Sequence, residues 1–141
     1  RRTDRVASMW GPAGHAYVYR VYGLHHCVNV VTVGEGCPEA VLLRGGQVLE
    51  GRGLAARRRG PGRRLADGPG MLCQAAAIDL ADDGRDLCDP AGGLWLVDDG
   101  IRPASSEVVR VPRVGVAYAG DAAGWPLRFL VRPAASGGRA G

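Results

Sequence analysis

The stretch that decides the fold is HAYVYRVYGLHHCVNVVTV, residues 15–33. Two runs of alternating apolar residues flank a short break at Tyr22–His25. This pattern predicts a β-hairpin whose backbone turns at Gly23, because glycine tolerates the left-handed conformations that tight hairpin turns require. Tyr22 falls at the turn, so we expect its ring to project from the tip of the hairpin rather than to pack on the sheet.

The side chains of the hairpin divide between two faces. Alternate residues of a strand point to opposite sides, so Tyr17 and Tyr19 share one face of the first strand. Cys27, Asn29 and Val31 share a face of the return strand, and an amide among apolar side chains needs hydrogen-bond partners from the protein or a ligand. Two interpretations stay open on pattern alone. The tyrosines pack across strands while Asn29 satisfies backbone groups, or the set extrudes, stacks on and reads a nucleic-acid base.

The rest of the chain predicts short elements around this hairpin. A strand at Ala40–Leu43 ends in Arg44, and an amphipathic helix at 47–59 would turn Val48, Leu49 and Leu54 inward. A second helix is expected from Asp67, and further strands are expected at 94–97, 107–111, 113–118 and 127–131. These elements predict an α/β fold of the α+β type: one domain over residues 1–132 with a curved, mostly antiparallel β-sheet, a protruding hairpin and flanking helices. Residues 133–141 read as a flexible tail.

Composition limits the class of protein. The chain has 141 residues, enough for one domain, and its 46% hydrophobic content supports a core. It has no apolar run of about 20 residues and no signal-peptide pattern, so we expect a soluble, cytoplasmic protein. His25 and His26 are adjacent and would point to opposite faces, and the four cysteines show no CxxC spacing. We therefore expect no metal site, no cofactor, and buried reduced thiols at Cys27 and Cys73.

The charge of the chain favours a phosphate-rich partner, though modestly. The net charge is +4, the sequence pI is about 9.2, and all 18 basic residues are arginine. The Ala, Gly and Arg bias indicates a bacterial source with GC-rich DNA. Residues 57–64 hold five arginines, which are typical of a solvated loop and could also contact phosphates in a salt-dependent manner.

Several separated motifs resemble one family. The stretch GHAYVYRVYGLHHCVNVVT, followed by AVLLRG at 40–45, is similar to the signature of the alkyladenine (3-methyladenine, or N-methylpurine) DNA glycosylases. GPGMLCQAAAI at 68–78, RVGVAYAGD at 113–121 and WPLRFLV at 125–131 follow in that family's order. The resemblance covers nearly the whole chain, from about Thr3 to Val131. It implies a bacterial DNA repair enzyme of base excision repair, associated with the nucleoid, that works as a monomer on double-stranded DNA.

The resemblance also implies an activity. Such an enzyme flips damaged purines such as 3-methyladenine, hypoxanthine and ethenoadenine out of duplex DNA, and it hydrolyses their N-glycosidic bond. Cleavage of the sugar-phosphate backbone generally needs an amine nucleophile, and because this sequence contains no lysine, only the N-terminal amine could serve. A water-using, monofunctional reaction is therefore favoured.

Individual roles follow from the same resemblance. Tyr22 would be the wedge that fills the space left by the extruded nucleotide, and Tyr19 would stack on the flipped base. Asn29 would screen the purine edge against the exocyclic amine of guanine. Arg44 has two readings, a surface partner for phosphate or a side chain that helps to hold the attacking water, and the resemblance favours the second. The positions that would contact DNA around the wedge are Thr3, Met9, Leu24 and His25.

One departure from the family pattern keeps two hypotheses open. The family's general base is a Glu in a Glu-Ala-Tyr-type motif, and that segment, with a pocket Tyr and His, lies upstream of the segment where this sequence begins. We therefore expect either a glycosylase whose general base lies outside this chain or a lesion-binding homologue that flips bases without cutting. A third reading, binding of structured RNA by a basic β-sheet protein, would require a preference for RNA over damaged duplex DNA.

Overall fold

The computed structural model describes residues 2–132 of the chain, so the expected tail at 133–141 lies outside the described residues. The described part contains helices and antiparallel strands, as the predicted fold class requires. In chain order its strands and α-helices are β1 (Ala16–Val21), β2 (His25–Val31), β3 (Ala40–Leu42), α1 (Arg52–Arg59), α2 (Pro69–Ala76), β4 (Val108–Val111) and β5 (Arg128–Val131). Short 3₁₀ helices connect them, the first spanning Asp4–Trp10.

The hairpin predicted at 15–33 is present as β1 and β2. Val21 pairs with His25, and the Leu24 backbone N–H donates to the Val21 carbonyl at 3.0 Å. Tyr22, Gly23 and Leu24 lie between the paired residues, and Tyr22 and Gly23 have φ values of 50° and 69°. Two consecutive left-handed residues form a type I′ turn, whose twist matches that of the strands on either side.

A three-stranded antiparallel sheet in the order β1-β2-β3 carries the core on one face. The buried residues of that core are Ala16, Val18, Val28, Cys73, Ile78 and Leu87, with Val30, Leu43, Leu72 and Leu94 packed around them. The strand residues of this list share one face of the sheet, and α2 supplies Cys73 and Leu72 from above. The other face carries Tyr17 and Tyr19, and Tyr17, Cys27 and Val31 on it are buried as well.

The outer edge of β1 is covered by the segment at 83–85. The Ala16 N–H donates to the Arg85 carbonyl, and the Gly84 N–H donates to the Ala16 carbonyl, both at 2.8 Å. The Val18 N–H donates to Asp83 Oδ1 at 2.8 Å. These bonds satisfy backbone groups that an edge strand would otherwise leave open to another chain.

The chain divides between Val97 and Asp98 into two compact units. The first holds the three-stranded sheet, α1 and α2. The second holds β4 and β5, which pair antiparallel from Val108 opposite Val131 to Val111 opposite Arg128. The Arg110 guanidinium lies 5.2 Å from the centre of the Phe129 ring in this second sheet, which is a cation–π contact.

Three predictions of local structure were wrong. The helix expected at 47–59 begins only at Arg52, after Gly51 in a left-handed conformation, and Leu49 is exposed. The segments 94–97 and 113–118 are not strands. Their apolar residues satisfy the strand pattern, but in the described residues these segments have no ladder partner, and a strand needs one to satisfy its backbone groups. No helix within residues 2–132 is long and apolar enough to cross a membrane.

Candidate functional site

The tip of the hairpin presents a bare aromatic side chain. Tyr22 is 91% exposed, and its φ of 50° lies in the left-handed region that side chains with a Cβ seldom adopt. A tyrosine in this conformation lowers the stability of the fold. Because its ring is exposed, burial of the side chain offsets almost none of this cost. Strained positions of this kind are concentrated at functional sites, which makes Tyr22 a candidate for contact with a partner. Leu24, two residues further on, is exposed as well.

Behind the tip, the face of the sheet opposite the core carries the predicted pocket residues in two rows. Tyr17 pairs with Asn29 across β1 and β2, and Asn29 pairs with Leu42 in β3. Tyr19 pairs with Cys27, and Asn29 and Cys27 are two residues apart in β2. Because residues opposite one another and residues two apart share a face, these side chains all point to the same side.

Arg44 joins the second row by continuation of the β2–β3 register. The Leu43 N–H donates to the Val28 carbonyl at 3.1 Å, which extends the ladder one step beyond Leu42. The same register carried one residue further places Arg44 opposite Cys27. Burial raises the pKa of the Cys27 thiol, while a hydrogen bond with Tyr19 and the charge of Arg44 act in the opposite direction. The positive charge of Arg44 therefore lies near Cys27, which is in the same row as Tyr19.

The two tyrosines of β1 form a stacked pair. Their ring centroids are 5.3 Å apart and their planes differ by 27°, an arrangement that favours attraction between aromatic rings. Tyr17 is only 8% exposed, whereas Tyr19 is half-buried. Burial raises the pKa of Tyr17, the nearby Arg5 charge lowers it and Asp83 raises it. Tyr17 is thus the inner ring and Tyr19 the outer ring of the pair.

Asn29 is 7% exposed, the only polar residue of the described part that is buried to this degree. Its Nδ2 donates to the Tyr17 backbone carbonyl at 3.0 Å. The amide is therefore oriented by the protein, as the structural interpretation of the sequence expected. This single bond uses one of the two N–H donors of the amide, which leaves a second donor and the carbonyl oxygen as further hydrogen-bonding groups.

His25 lies between the tip and the start of α2. A Cβ added to Gly70 would approach His25 Cβ to 3.1 Å, so α2 packs closely on this residue and a larger side chain at position 70 would require His25 to shift by a few tenths of an ångström. An open groove of about 370 Å³ runs between the hairpin and α2 at this point. It is lined by Leu24, His25, His26, Gly70, Cys73, Gln74, Ala77, Ile78 and Asp79. Both residues predicted to flank the wedge, Leu24 and His25, thus line one surface beside the tip.

Thr3 and Met9 lie on a different element. Met9 is part of the 3₁₀ helix at Asp4–Trp10, and Thr3 immediately precedes it. Arg5 Nη2 donates to the Arg20 carbonyl at 2.8 Å, and Ser8 Oγ donates to Asp83 Oδ2 at 2.5 Å. These bonds attach the helix to β1 and to the segment that covers its edge.

The arginine run is partly structural. Arg58 Nη1 donates to the Ala75 carbonyl at 2.8 Å, and Arg59 Nη1 donates to Gln74 Oε1. Two of the five arginines therefore contact the C-terminal turn of α2, where carbonyl groups and the negative end of the helix dipole favour a cation. Arg57 and Arg63 are exposed. Within residues 2–132, no cluster of three or more His, Cys, Asp or Glu side chains could hold a metal ion.

The stacking of Tyr17 on Tyr19 was not predicted from the sequence. The spacing of Tyr17 and Tyr19 placed them on one face, but no role was assigned to the first ring. The available signal was the pair of tyrosines two residues apart in a strand that also faces a buried amide. Leu42 was missed because its position opposite Asn29 depends on the register of β3, which the sequence pattern does not supply.

Comparison with known proteins shows the class to which this chain belongs. A sequence model for a family of DNA glycosylases matches residues 1–135. That family is described as methylpurine-DNA glycosylase (MPG), and the chain belongs to it.

Similar proteins include one from Methanocella arvoryzae, which is 45% identical over 90% of this chain, and one from Streptomyces avermitilis, which is 44% identical over 92%. A third, from Anaeromyxobacter dehalogenans, is 47% identical over 92% of this chain. All three bear the name "Putative 3-methyladenine DNA glycosylase". The matches cover 63%, 62% and 56% of these relatives, so the chain spans about three-fifths of their length.

Proposed function

We propose that this chain carries the lesion-recognition surface of a DNA glycosylase. The enzyme flips alkylated or deaminated purines, such as 3-methyladenine, hypoxanthine and ethenoadenine, out of duplex DNA and hydrolyses their N-glycosidic bond. Membership of the methylpurine-DNA glycosylase family and the names of the relatives support this proposal. We further propose that the protein is a monomer that acts at the bacterial nucleoid, in the cytoplasm, without a cofactor.

The observation that carries the proposal is the position of Tyr22. Tyr22 contributes little to the stability of the fold, because its ring is 91% exposed at the tip of the hairpin and its backbone is in a left-handed conformation. An enzyme that flips a base must compensate for lost stacking, and a wedge inserted into the duplex fills the vacated space. Tyr22 has the exposure and the size for this role, and Leu24 and His25 would contact DNA beside it.

The sheet face behind the tip would receive the flipped base. Tyr19 would stack on the purine, since an electron-poor alkylated ring is attracted to the face of an aromatic side chain. Asn29 would present its remaining hydrogen-bonding groups to the purine edge, where the exocyclic amine of guanine would be rejected. Both roles are compatible with the shared face of Tyr19, Cys27 and Asn29 in the β1–β2 register.

Arg44 would help to hold the attacking water. Its guanidinium acts electrostatically on the Cys27 thiol, which places positive charge beside the row of the stacking ring. We propose that the general base is a Glu supplied from outside this chain. Thr3 and Met9 would contact the duplex from the N-terminal side of the hairpin.

The proposal is tested by binding and base release with this chain. A duplex with one ethenoadenine or hypoxanthine is compared with the undamaged duplex at fixed salt, because phosphate contacts make all affinities salt-dependent. We expect the wild-type chain to prefer the damaged duplex and Tyr22→Ala to lose that preference. Tyr118→Ala is the matched control, since Tyr118 is an equally exposed tyrosine at 88%.

The outcomes separate the hypotheses. Lesion-selective binding without release of the free base supports a recognition surface without its own general base, and an in-frame Glu-Ala-Tyr-type motif upstream in the gene would then favour the glycosylase over a lesion-binding homologue. Catalysed release of the base by this chain would show that the residues here include a general base, and that part of the proposal would fail. A folded chain that binds both duplexes equally, or that prefers structured RNA, would contradict the assignment of the pocket.

A further inference from the structure

Tyr17 contacts both groups that the proposed pocket uses to recognise a base. Its ring stacks on Tyr19 with centroids 5.3 Å apart, and its backbone carbonyl accepts the Nδ2 hydrogen bond of Asn29 at 3.0 Å. Tyr17 and Asn29 are also direct partners in the β1–β2 ladder. Tyr17, which is 8% exposed, therefore lies behind the Tyr19 ring that would stack on the base and beside the Asn29 amide that would contact the base edge.

We propose that Tyr17 is a positioning residue for lesion recognition: its ring sets the plane of the Tyr19 ring without touching the flipped base, whereas its backbone carbonyl, which any residue at this position would supply, orients the Asn29 amide. The inference rests on the proposed function, because it concerns the residues that would contact the purine. It assigns Tyr17 a specificity role in addition to its burial, since Tyr17 lies outside the cluster formed by Ala16, Val18 and Val28 and contacts Tyr19 instead.

The Tyr19 side chain is only half-buried. A half-buried tyrosine on a sheet can change its side-chain rotamer unless neighbours block it, and each such change would move the stacking plane. The Tyr17 ring covers one side of Tyr19, and the hydrogen bond with Cys27 restrains the Tyr19 hydroxyl. Preorganising a stacking surface reduces the entropy lost when a base binds, so affinity for a flipped base increases while affinity for undamaged DNA does not.

Tyr17 is in turn held in place by its own surroundings. The Val18 N–H, next in the chain, donates to Asp83 Oδ1 at 2.8 Å, and Arg5 binds the Arg20 carbonyl on the same strand. Arg5 and Asp83 both act electrostatically on the Tyr17 hydroxyl. Loss of the hydroxyl alone removes these two interactions but should leave the ring in position, because the ring is buried and stacked on Tyr19.

The test uses the full chain with Tyr17→Phe and Tyr17→Leu. The readout is the ratio of dissociation constants for the undamaged and the ethenoadenine duplex, with the melting temperature measured in parallel. We expect Tyr17→Phe to keep the wild-type ratio, because the stacked ring remains. We expect Tyr17→Leu to lower it about two- to tenfold, the range that corresponds to one aromatic pair. Tyr118→Leu is the control and should change nothing.

A second measurement does not depend on the stability of a variant. Nuclear Overhauser contacts between the ring protons of Tyr17 and Tyr19 should be present in the wild-type chain, and their absence would overturn the inference. A Tyr17→Leu variant that melts earlier but keeps the wild-type ratio would also overturn it, since Tyr17 would then be structural only. If the wild-type chain itself shows no lesion selectivity, the proposed function fails and the inference fails with it; selectivity that is unaffected in Tyr17→Leu refutes the inference alone.

Discussion

Replacement of Tyr22 by asparagine should make the fold more stable and the protein worse at recognising damage. Tyr22 and Gly23 occupy the two left-handed positions of a type I′ turn, with φ of 50° and 69°. Asn-Gly is the preferred sequence for this turn, because the short side chain of asparagine tolerates the left-handed conformation. The left-handed region costs an ordinary residue roughly 1–2 kcal/mol, and asparagine recovers part of this.

The expected gain in unfolding free energy follows from this difference. Tyr22 is 91% exposed, so the variant loses almost no buried apolar area. We expect Tyr22→Asn to stabilise the chain by about 1 kcal/mol, which for a chain of this size raises the melting temperature by roughly 3–5 °C. At the same time the loss of the ring should weaken binding of a damaged duplex about tenfold, because stacking contacts with a base are worth about 1–3 kcal/mol each.

Urea unfolding and thermal melting monitored by circular dichroism measure the first effect, and titration with the ethenoadenine duplex measures the second. Tyr118→Asn is the control: Tyr118 is equally exposed, but its φ is not positive, so no stabilisation is expected. A variant at Tyr22 that is destabilised by more than about 0.5 kcal/mol would refute the strain argument. A stabilised variant that still selects damaged DNA would refute the role of the ring as a wedge.

Two further predictions concern the thiols. In the native chain under reducing conditions, Cys37 and Cys88 should react quickly with a thiol reagent, whereas Cys27 and Cys73 should react only on unfolding, because the first two are exposed and the last two are buried; four fast thiols in a folded sample would contradict the burial. Burial raises the pKa of Cys73 from its ordinary 9.0 to about 11, so the unfolded chain loses its proton first. Stability should therefore be intact below pH 9 and should fall by about 2 kcal/mol as the pH rises toward 11. Urea unfolding across this range measures the loss. Cys73→Ala should make it smaller, with a remainder from Cys27 and Tyr17, whose pKa values burial also raises. Cys37→Ala should leave it unchanged, and an unchanged slope in Cys73→Ala would rule out this thiol as a cause.

The hairpin at 15–33 was predictable because its determinants are local. Alternation assigned Tyr17 and Tyr19 to one face, and the structure confirms that Cys27 and Asn29 share it through the β1–β2 pairing. Gly23 marked the turn. The same local pattern failed at 94–97 and 113–118, where apolar residues satisfied a strand template but no neighbouring strand completed it.

The resemblance to the family came from the sequence alone, because ordered motifs along the chain require no coordinates. The matching family model covers residues 1–135, so this assignment is confirmed. The roles of Tyr19, Tyr22, Asn29 and Arg44 remain predictions. The structure adds what surrounds them: the strain at Tyr22, the hydrogen bond of Asn29 and the charge of Arg44 beside Cys27.

What the sequence by itself determined is therefore the hairpin, the exposure of its tip, the division of its faces and the family. Only the tertiary structure decided that the Tyr17 ring stacks on Tyr19, that the Tyr17 carbonyl accepts a hydrogen bond from Asn29, that the Arg44 charge lies near Cys27, and that Arg58 contacts the end of α2. The physical reason is the range of the interactions. Strand alternation and turn conformation depend on residues a few positions apart, whereas register between strands, ring stacking and helix-end contacts depend on how distant segments pack together.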